Sequence, residues 1–228
     1  MMTRSWKQIL VCLIVWLPAL HEVQGQQQDF QSWWELNLNK QMGDRFTFAG
    51  ELEQRFRNNS LQYDRSLVTL TGDYLINAFL ELSGGVRAVA VSDRERRLHP
   101  KYRVHVDVTG SHIFSGLDLS LRARMQYGFE DPLQMGFIRV NTLVSRNRLK
   151  VAYHIFGTRV GLFGSLESWH LLNDVPSSLT YKMRYSGGVQ VDLSFVSRLT
   201  LRYILEDEFN VKNPLQSHIL LIGYSHQL

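Results

Sequence analysis

The chain has 228 residues, of which 44% are apolar and 20% are charged, and its formal net charge at pH 7 is +4. This length predicts one domain with a sizeable fold, and the charged fraction excludes a bundle of transmembrane helices. The 12 Phe, 9 Tyr and 5 Trp exclude a disordered chain, while the single Cys excludes a disulfide scaffold and a cysteine-based zinc site.

The N-terminal segment has the pattern of a cleaved secretory signal. A positively charged start precedes an apolar run over residues 9–20, which is too short to span a membrane, and a short polar stretch ends at Gly25. We expect residues 1–25 to be removed and residues 26–228 to form a single domain. Cys12 lies inside the apolar run without the small preceding residue of a lipoprotein site, so no lipid anchor is expected. An exported chain does not meet nucleic acid, so no nucleic-acid partner is expected.

A two-residue alternation of side-chain character begins at residue 45 and returns along the chain. In residues 45–57, five of the seven odd-numbered side chains are charged, whereas none of the six even-numbered ones is. Successive side chains of a strand point to opposite faces, so this segment predicts a strand with one apolar and one ionic face. The same alternation recurs over residues 102–109, 117–127, 181–192 and 199–206.

Two all-β folds can accommodate such strands. In a soluble periplasmic β-barrel the apolar faces point inward, whereas in a transmembrane barrel they face lipid and the charged faces line the lumen. The alternating runs reach eleven to thirteen residues, which fits a tilted transmembrane strand of roughly 9–11 residues better than a soluble strand of about 5–6. Aromatic residues near strand ends, such as Trp34, Tyr127 and Tyr224, fit interfacial girdles.

The last segment adds to this interpretation. Alternation continues to Leu228, the final residue, and outer-membrane barrels typically end inside their last strand. Leu228 stands where such barrels usually carry an aromatic residue. We therefore predict an all-β fold, a transmembrane antiparallel up-and-down β-barrel in the cell outer membrane, and keep the soluble periplasmic β-barrel as the alternative.

About twelve strands are expected, since an even number brings both chain ends to the periplasm. The segments are residues 30–40, 45–57, 62–76, 78–91, 101–113, 116–128, 136–146, 148–156, 160–172, 179–193, 198–208 and 216–228. If residues 136–156 form one strand the number is eleven, and ten strands are also acceptable.

Alternate residues of these strands form an ionic lumen in this interpretation. The candidate lumen-lining residues are Glu51, Glu53, Arg55, Arg87, Arg103, Asp107, Arg122, Arg124, Arg139, Glu167, Lys182, Arg184, Arg202 and Glu206. In a packed lumen these charges pair into ladders, because an unpaired buried charge is costly. In a hydrated lumen they select solutes. Arginine outnumbers carboxylates on the strands at 116–128 and 179–193, which favours an anionic solute.

Short motifs carry a resemblance to a known family. They are WWEL at residues 33–36, ELEQRFR at 51–57, YDR at 63–65, FGSLESWHLL at 163–172, and Arg184 with Gly187 before the strand of Tyr203. On these motifs the chain resembles a family of small Gram-negative outer-membrane β-barrels of unknown function. The resemblance implies an outer-membrane barrel and brings no catalytic residues. The start at Gln26 after the signal is similar to exported proteins of Bacteroidetes-like bacteria.

Catalytic and metal sites have little support in the sequence. The seven histidines outside the signal segment lack the spacing of metal ligands, so neither a metal nor another cofactor is expected. Ser168 and His170 share one face of a strand near a rim, as a serine and a histidine do in some outer-membrane lipid hydrolases. We interpret them as polar residues at the aqueous end of a strand and keep a rim-sited lipid hydrolase as the alternative.

The expected function is therefore non-enzymatic. The chain is predicted to be a narrow passive pore, or a structural or binding component, with an ionic lumen. Its expected partners are outer-membrane lipid and lipopolysaccharide and the outer-membrane assembly machinery. The sequence identifies no particular solute.

Overall fold

The computed structural model describes residues 27–92, 97–130, 141–173, 179–211 and 213–228. The predicted signal segment and Arg139 lie outside the described residues. Eleven strands form within the described part of the chain. They are β1 Gln27–Met42, β2 Phe46–Arg57, β3 Gln62–Asn77, β4 Leu80–Ser92, β5 Leu98–Phe114, β6 Leu117–Glu130, β7 Thr142–His154, β8 Val160–Leu171, β9 Leu179–Asp192, β10 Ser197–Glu208 and β11 Leu215–Gln227.

The strands form a closed barrel in which each one pairs antiparallel with its neighbours in sequence. The barrel closes between β1 and β11, which run parallel, from Gln27 beside Leu215 to Asn39 beside Gln227. A meander with an odd number of strands must close in this way, because its first and last strands point in the same direction. The predicted all-β, up-and-down barrel is confirmed.

The number of strands differs from the expected twelve at β7. The sequence suggested two strands, 136–146 and 148–156, separated near residue 147, whereas the structure has one strand over Thr142–His154. The polar run Ser145-Arg146-Asn147-Arg148 resembles a turn, but both neighbours pair with it without interruption. Arg146 lies opposite Arg124 of β6, and Arg148 lies opposite Glu167 of β8.

The two ends of the barrel differ in the length of their connections. The end that we call the short-turn rim carries connections of two to five residues, and the opposite end, the long-loop rim, carries connections of up to eleven. The β5–β6 connection is the tight pair Ser115-Gly116, with φ of 51° and 84°. Two positive φ angles in a two-residue hairpin are typical of a type I′ turn. β1 begins at the long-loop rim and β11 ends at the short-turn rim.

The apolar faces of the strands point away from the barrel interior. Leu70 and Leu121 are each 60% exposed on the outer wall, while Arg124, which alternates with the outer residues of β6, is 9% exposed. A soluble barrel would have the reverse arrangement, so the structure does not support that alternative. Within the described residues, no helix is long and apolar enough to cross a membrane.

A small apolar core fills the interior beside the closing strands. Trp33 of β1, Ile204 of β10, and Ile219 and Leu221 of β11 are buried together there. Elsewhere the buried interior is largely polar and includes Glu53, Asp107, Arg124, Arg146, Glu167 and Glu206. The barrel interior is therefore packed on one side by apolar side chains and elsewhere by charged ones.

Candidate functional site

A cavity of about 630 Å³ occupies the barrel interior, and residues from each of the eleven strands line it. Asn210 and Val211, which connect β10 and β11 at the long-loop rim, also line the cavity. Among the described residues that line it, eleven are Arg or Lys and five are Glu. The cavity is therefore a cationic chamber large enough for a small organic molecule.

The structure brings most of the residues predicted to line the lumen to one internal cavity. Twelve of them face the cavity: Glu51, Glu53, Arg55, Arg87, Arg103, Arg122, Arg124, Glu167, Lys182, Arg184, Arg202 and Glu206. Asp107 is buried and does not line this cavity, and its carboxylate accepts two hydrogen bonds of 2.7 and 2.5 Å from Arg124. Arg139 lies outside the described residues.

Arginines stand directly opposite one another on neighbouring strands. The four pairs are Arg55–Arg65 between β2 and β3, Arg87–Arg103 between β4 and β5, and Arg122–Arg148 and Arg124–Arg146 between β6 and β7. Like charges in direct opposition destabilise a sheet. These pairs therefore require compensation, either from lumen carboxylates or from an anion.

Glu167 compensates the pairs between β6 and β7. This carboxylate is 4% exposed and accepts hydrogen bonds of 2.6 Å from Arg122 and 3.0 Å from Arg146. Arg184 of β9 lies 3.9 Å from its other oxygen. One buried carboxylate thus holds the side chains of three strands in place.

The network of ion pairs continues across the barrel. Arg184 also hydrogen-bonds Glu206 of β10, which is 2.8 Å from Lys182, and Lys182 is 3.0 Å from Glu208. At the other end of the network, Arg122 lies 3.9 Å from Asp107. A continuous chain of charges therefore runs from β5 to β10.

Two tryptophans of the lumen, Trp33 and Trp169, stack against lumen arginines. The Arg55 guanidinium lies 3.6 Å from the ring centre of Trp33, and Arg146 lies 4.8 Å from that of Trp169. Arg184 is within 5.2 Å of Trp33 and 4.8 Å of Trp169. Cation–π contacts of this kind stabilise a guanidinium that has lost water. They fix the positions of these charges and cover the tryptophan faces.

A second group of arginines has no ion pair. Within the described residues, no carboxylate lies within 4.0 Å of Arg103, Arg148 or Arg202, yet all three line the cavity. Arg103 lies directly opposite Arg87, whose own partner is Glu51 at 2.8 Å. The excess positive charge of the cavity is therefore concentrated on Arg103, Arg148 and Arg202.

Several lumen residues were missed by the sequence-based selection. Arg146 and Arg148 belong to β7, whose outward positions Ser145 and Asn147 are polar, so the apolar half of the alternation is absent there. Trp33 and Trp169 are apolar, so the alternation by itself would assign them to the outer wall. The signal that could have placed Trp33 inward is its neighbour Trp34, which takes the opposite face.

Ser168 and His170 lie together on the outer wall near the long-loop rim. Ser168 Oγ is 3.0 Å from His170 Nε2, and Thr180 Oγ1 is 2.6 Å from His170 Nδ1. A neutral hydroxyl can orient the imidazole but gives an imidazolium no charge stabilisation. The structure thus joins the two residues of the hydrolase alternative, but it adds no carboxylate to them among the described residues.

In the described part of the chain, no group of three or more His, Cys, Asp or Glu side chains could hold a metal ion.

Residues 30–215 match the family described as "Protein of unknown function (DUF2490)". The chain belongs to this family. The resemblance carried by the short motifs is thereby confirmed, whereas the Bacteroidetes-like origin stays a prediction. No curated protein matches this DUF2490 chain.

A solved porin has a similar fold. Its structure is titled "NanC porin structure in rhombohedral crystal form", and the similarity covers 88% of this DUF2490 chain and 99% of the porin chain. The TM-score is 0.55 and the sequence identity is 14%. At this identity the likeness shows the barrel fold alone.

Proposed function

We propose that the protein is a narrow passive pore of the outer membrane that admits small anionic solutes. The observation that carries this proposal is the charge of the cavity lining, in which eleven Arg or Lys side chains among the described residues face five Glu. Field lines concentrate inside a charged cleft with low-dielectric walls, so such a lining raises the local concentration of anions and lowers that of cations.

The outer wall supports the membrane location. Its exposed side chains include Leu70, Val86, Val106, Leu121 and Leu201, each at least half exposed. A contiguous apolar surface of this kind is unstable in water and fits the apolar band of a transmembrane barrel. Lipid, lipopolysaccharide and the outer-membrane assembly machinery are the partners that this proposal requires. The similarity to a porin agrees with it at the level of fold.

The proposal is non-enzymatic. The charged side chains of the cavity are engaged mainly with one another, as in the pairs Arg184–Glu206 and Arg146–Glu167, and this favours a role in shaping and charging the lumen. The outer-wall Ser168–His170 pair lies apart from the cavity and has no carboxylate partner among the described residues.

Solute entry into proteoliposomes tests the proposal. We expect glucuronate to enter faster than glucose and glucose faster than glucosamine, because the three solutes have similar size and differ in charge. Arg103→Gln should reduce the preference for glucuronate, since Arg103 lines the cavity and has no carboxylate within 4.0 Å among the described residues. Arg45→Gln is the matched control, because Arg45 is exposed beside the β1–β2 turn and does not line the cavity.

Equal entry of the three solutes, or a preference for glucosamine, would contradict the proposed anion selectivity. Absence of entry for all three would show that the lumen is closed to solutes of this size, and would contradict the passive pore.

A further inference from the structure

We propose that the lumen contains a discrete oxyanion-binding site, the inner oxyanion site, formed by Arg148, Ser165, Ser186 and Arg202. It would take the carboxylate or phosphate group of a small solute. The inference rests on the proposed pore function and names the chemical group that the lumen recognises.

The four residues come from four consecutive strands and face one cavity. Arg148 lies on β7, Ser165 on β8, Ser186 on β9 and Arg202 on β10, and all four line the cavity. Ser165 and Ser186 are directly opposite in the sheet, and their hydroxyl groups are 2.8 Å apart. Arg148 lies two residues along β7 from the position opposite Ser165, and Arg202 lies two residues along β10 from the position opposite Ser186. The register therefore places one arginine on each side of the hydroxyl pair.

Both arginines have unused hydrogen-bonding capacity. The Nε atoms of Arg148 and Arg202 are buried and have no hydrogen-bond acceptor among the described residues. Arg148 also stands directly opposite Arg122, another like charge. Buried donors are almost always satisfied, and opposed like charges are destabilising, so the arrangement calls for an anion.

Neighbouring carboxylates do not supply that anion. Glu167 lies directly opposite Arg148 in the sheet, but its Oε1 atom already accepts hydrogen bonds from Arg122 and Arg146, and its Oε2 atom lies 3.9 Å from Arg184. Glu35 is the carboxylate that acts most strongly on Arg202, and it accepts a hydrogen bond of 2.6 Å from Asn37. Neither carboxylate lies within 4.0 Å of the arginine that it faces in the described structure.

The aromatic ring of Phe163 packs against one of the two arginines of the site. Arg202 lies 5.1 Å and Lys150 lies 5.7 Å from the ring centre of Phe163. The ring sits over Gly188, where a Cβ atom would lie 2.8 Å from the Phe163 ring and 2.3 Å from the carbonyl oxygen of Leu201. The glycine therefore makes room for the ring. Lys150 adds a positive charge near the site, partly offset by Asp118.

The geometry favours an oxyanion over a halide. A guanidinium presents parallel N–H donors that match the two oxygens of a carboxylate or phosphate, whereas a spherical ion cannot use that match. The serine hydroxyl groups can rotate to donate to the same oxygens. A bound oxyanion would satisfy both arginines and would separate their charges.

Block of chloride current by added oxyanion tests the site. In planar bilayers we expect inorganic phosphate, and separately acetate, to reduce the chloride current of the refolded protein with saturation. The two probes distinguish a phosphate-preferring from a carboxylate-preferring site. In Arg148→Gln/Arg202→Gln, the half-blocking concentration should rise about tenfold or more, because charge-assisted hydrogen bonds are lost.

Two further variants separate charge from geometry. Arg148→Lys/Arg202→Lys keeps the charge, so it should retain anion selectivity and fold while the block weakens. Arg103→Gln removes a cavity charge outside the site, so it should reduce selectivity while the block keeps its half-blocking concentration. Assembly of each variant is checked by heat-modifiable gel mobility, and the lysine variant provides the test if the glutamine variant does not assemble.

Unsaturable or absent block by both probes in an anion-selective wild-type pore would overturn the inner oxyanion site and leave the proposed function intact. Unchanged block in the lysine variant would overturn it as well. Saturable block in a pore without anion selectivity would instead overturn the proposed function and leave the site.

Discussion

Replacing Glu167 by Gln is expected to lower the free energy of unfolding of the barrel by about 3–5 kcal/mol, the usual effect of removing one partner from a buried ion pair. Glu167 is the shared acceptor of Arg122 and Arg146, at 2.6 and 3.0 Å. Both arginines also stand opposite another arginine, Arg148 and Arg124 respectively. Without the carboxylate, the repulsion within these rows is no longer balanced.

Urea unfolding of the folded protein in lipid or detergent measures this loss. Asp192→Asn is the matched control, because the Asp192–Arg198 pair is an ion pair whose side chains remain 31% and 49% exposed at the short-turn rim. Exposed pairs contribute about 0–1 kcal/mol. A loss in Glu167→Gln no larger than that in the control would show that the lumen is hydrated around Glu167.

Replacing Leu121 by Arg and replacing Arg122 by Leu should destabilise the barrel to different extents, although the two positions are adjacent. Leu121 is 60% exposed on the outer wall between Gly110 and Leu149. Leu121→Arg should therefore destabilise the assembled barrel by about 2–4 kcal/mol if this position lies near the bilayer midplane. Arg122→Leu should cost less, because Glu167 keeps its bond to Arg146.

The yield of heat-modifiable barrel after refolding into vesicles measures both effects. The comparison carries its own control, since the two variants alter neighbouring residues of one strand. A silent Leu121→Arg together with a failure of Arg122→Leu to fold would invert the two faces of β6 and restore the soluble barrel.

The face assignment could be predicted from the sequence because a strand repeats every two residues. Residues 45–57 alternate between charged and uncharged side chains, and the structure places β2 at Phe46–Arg57 with Glu51, Glu53 and Arg55 in the lumen. The alternation needs no knowledge of the neighbouring strands. It depends only on the pleat and on the difference between lipid and lumen.

In β7 the two-residue alternation of apolar and charged side chains is absent over residues 145–148. Its outer positions Ser145 and Asn147 are polar, so both faces of the strand look hydrophilic and the segment resembles a turn. Pairing with β6 and β8 maintains the strand, and pairing between distant segments is not encoded in a local pattern. The break at residue 147, and with it the expected twelfth strand, followed from that missing signal.

The electrostatic character of the lumen could be predicted only in sign. An excess of arginine on two strands indicated an anionic solute, but the sequence could not show which arginines have partners. That depends on the register, which places Arg122 opposite Arg148 and brings Glu167 to Arg122 and Arg146. That Arg202 has no carboxylate within 4.0 Å among the described residues likewise becomes visible only in the closed barrel.

Ion selectivity under a KCl gradient is the most direct test of the cationic lumen as a pore. The refolded protein is inserted into a planar bilayer and the reversal potential is measured. We expect a reversal potential shifted toward the chloride equilibrium potential, because eleven Arg or Lys side chains and five Glu among the described residues line the cavity. A reversal potential at zero, one shifted toward potassium, or a protein that inserts without conducting would contradict it.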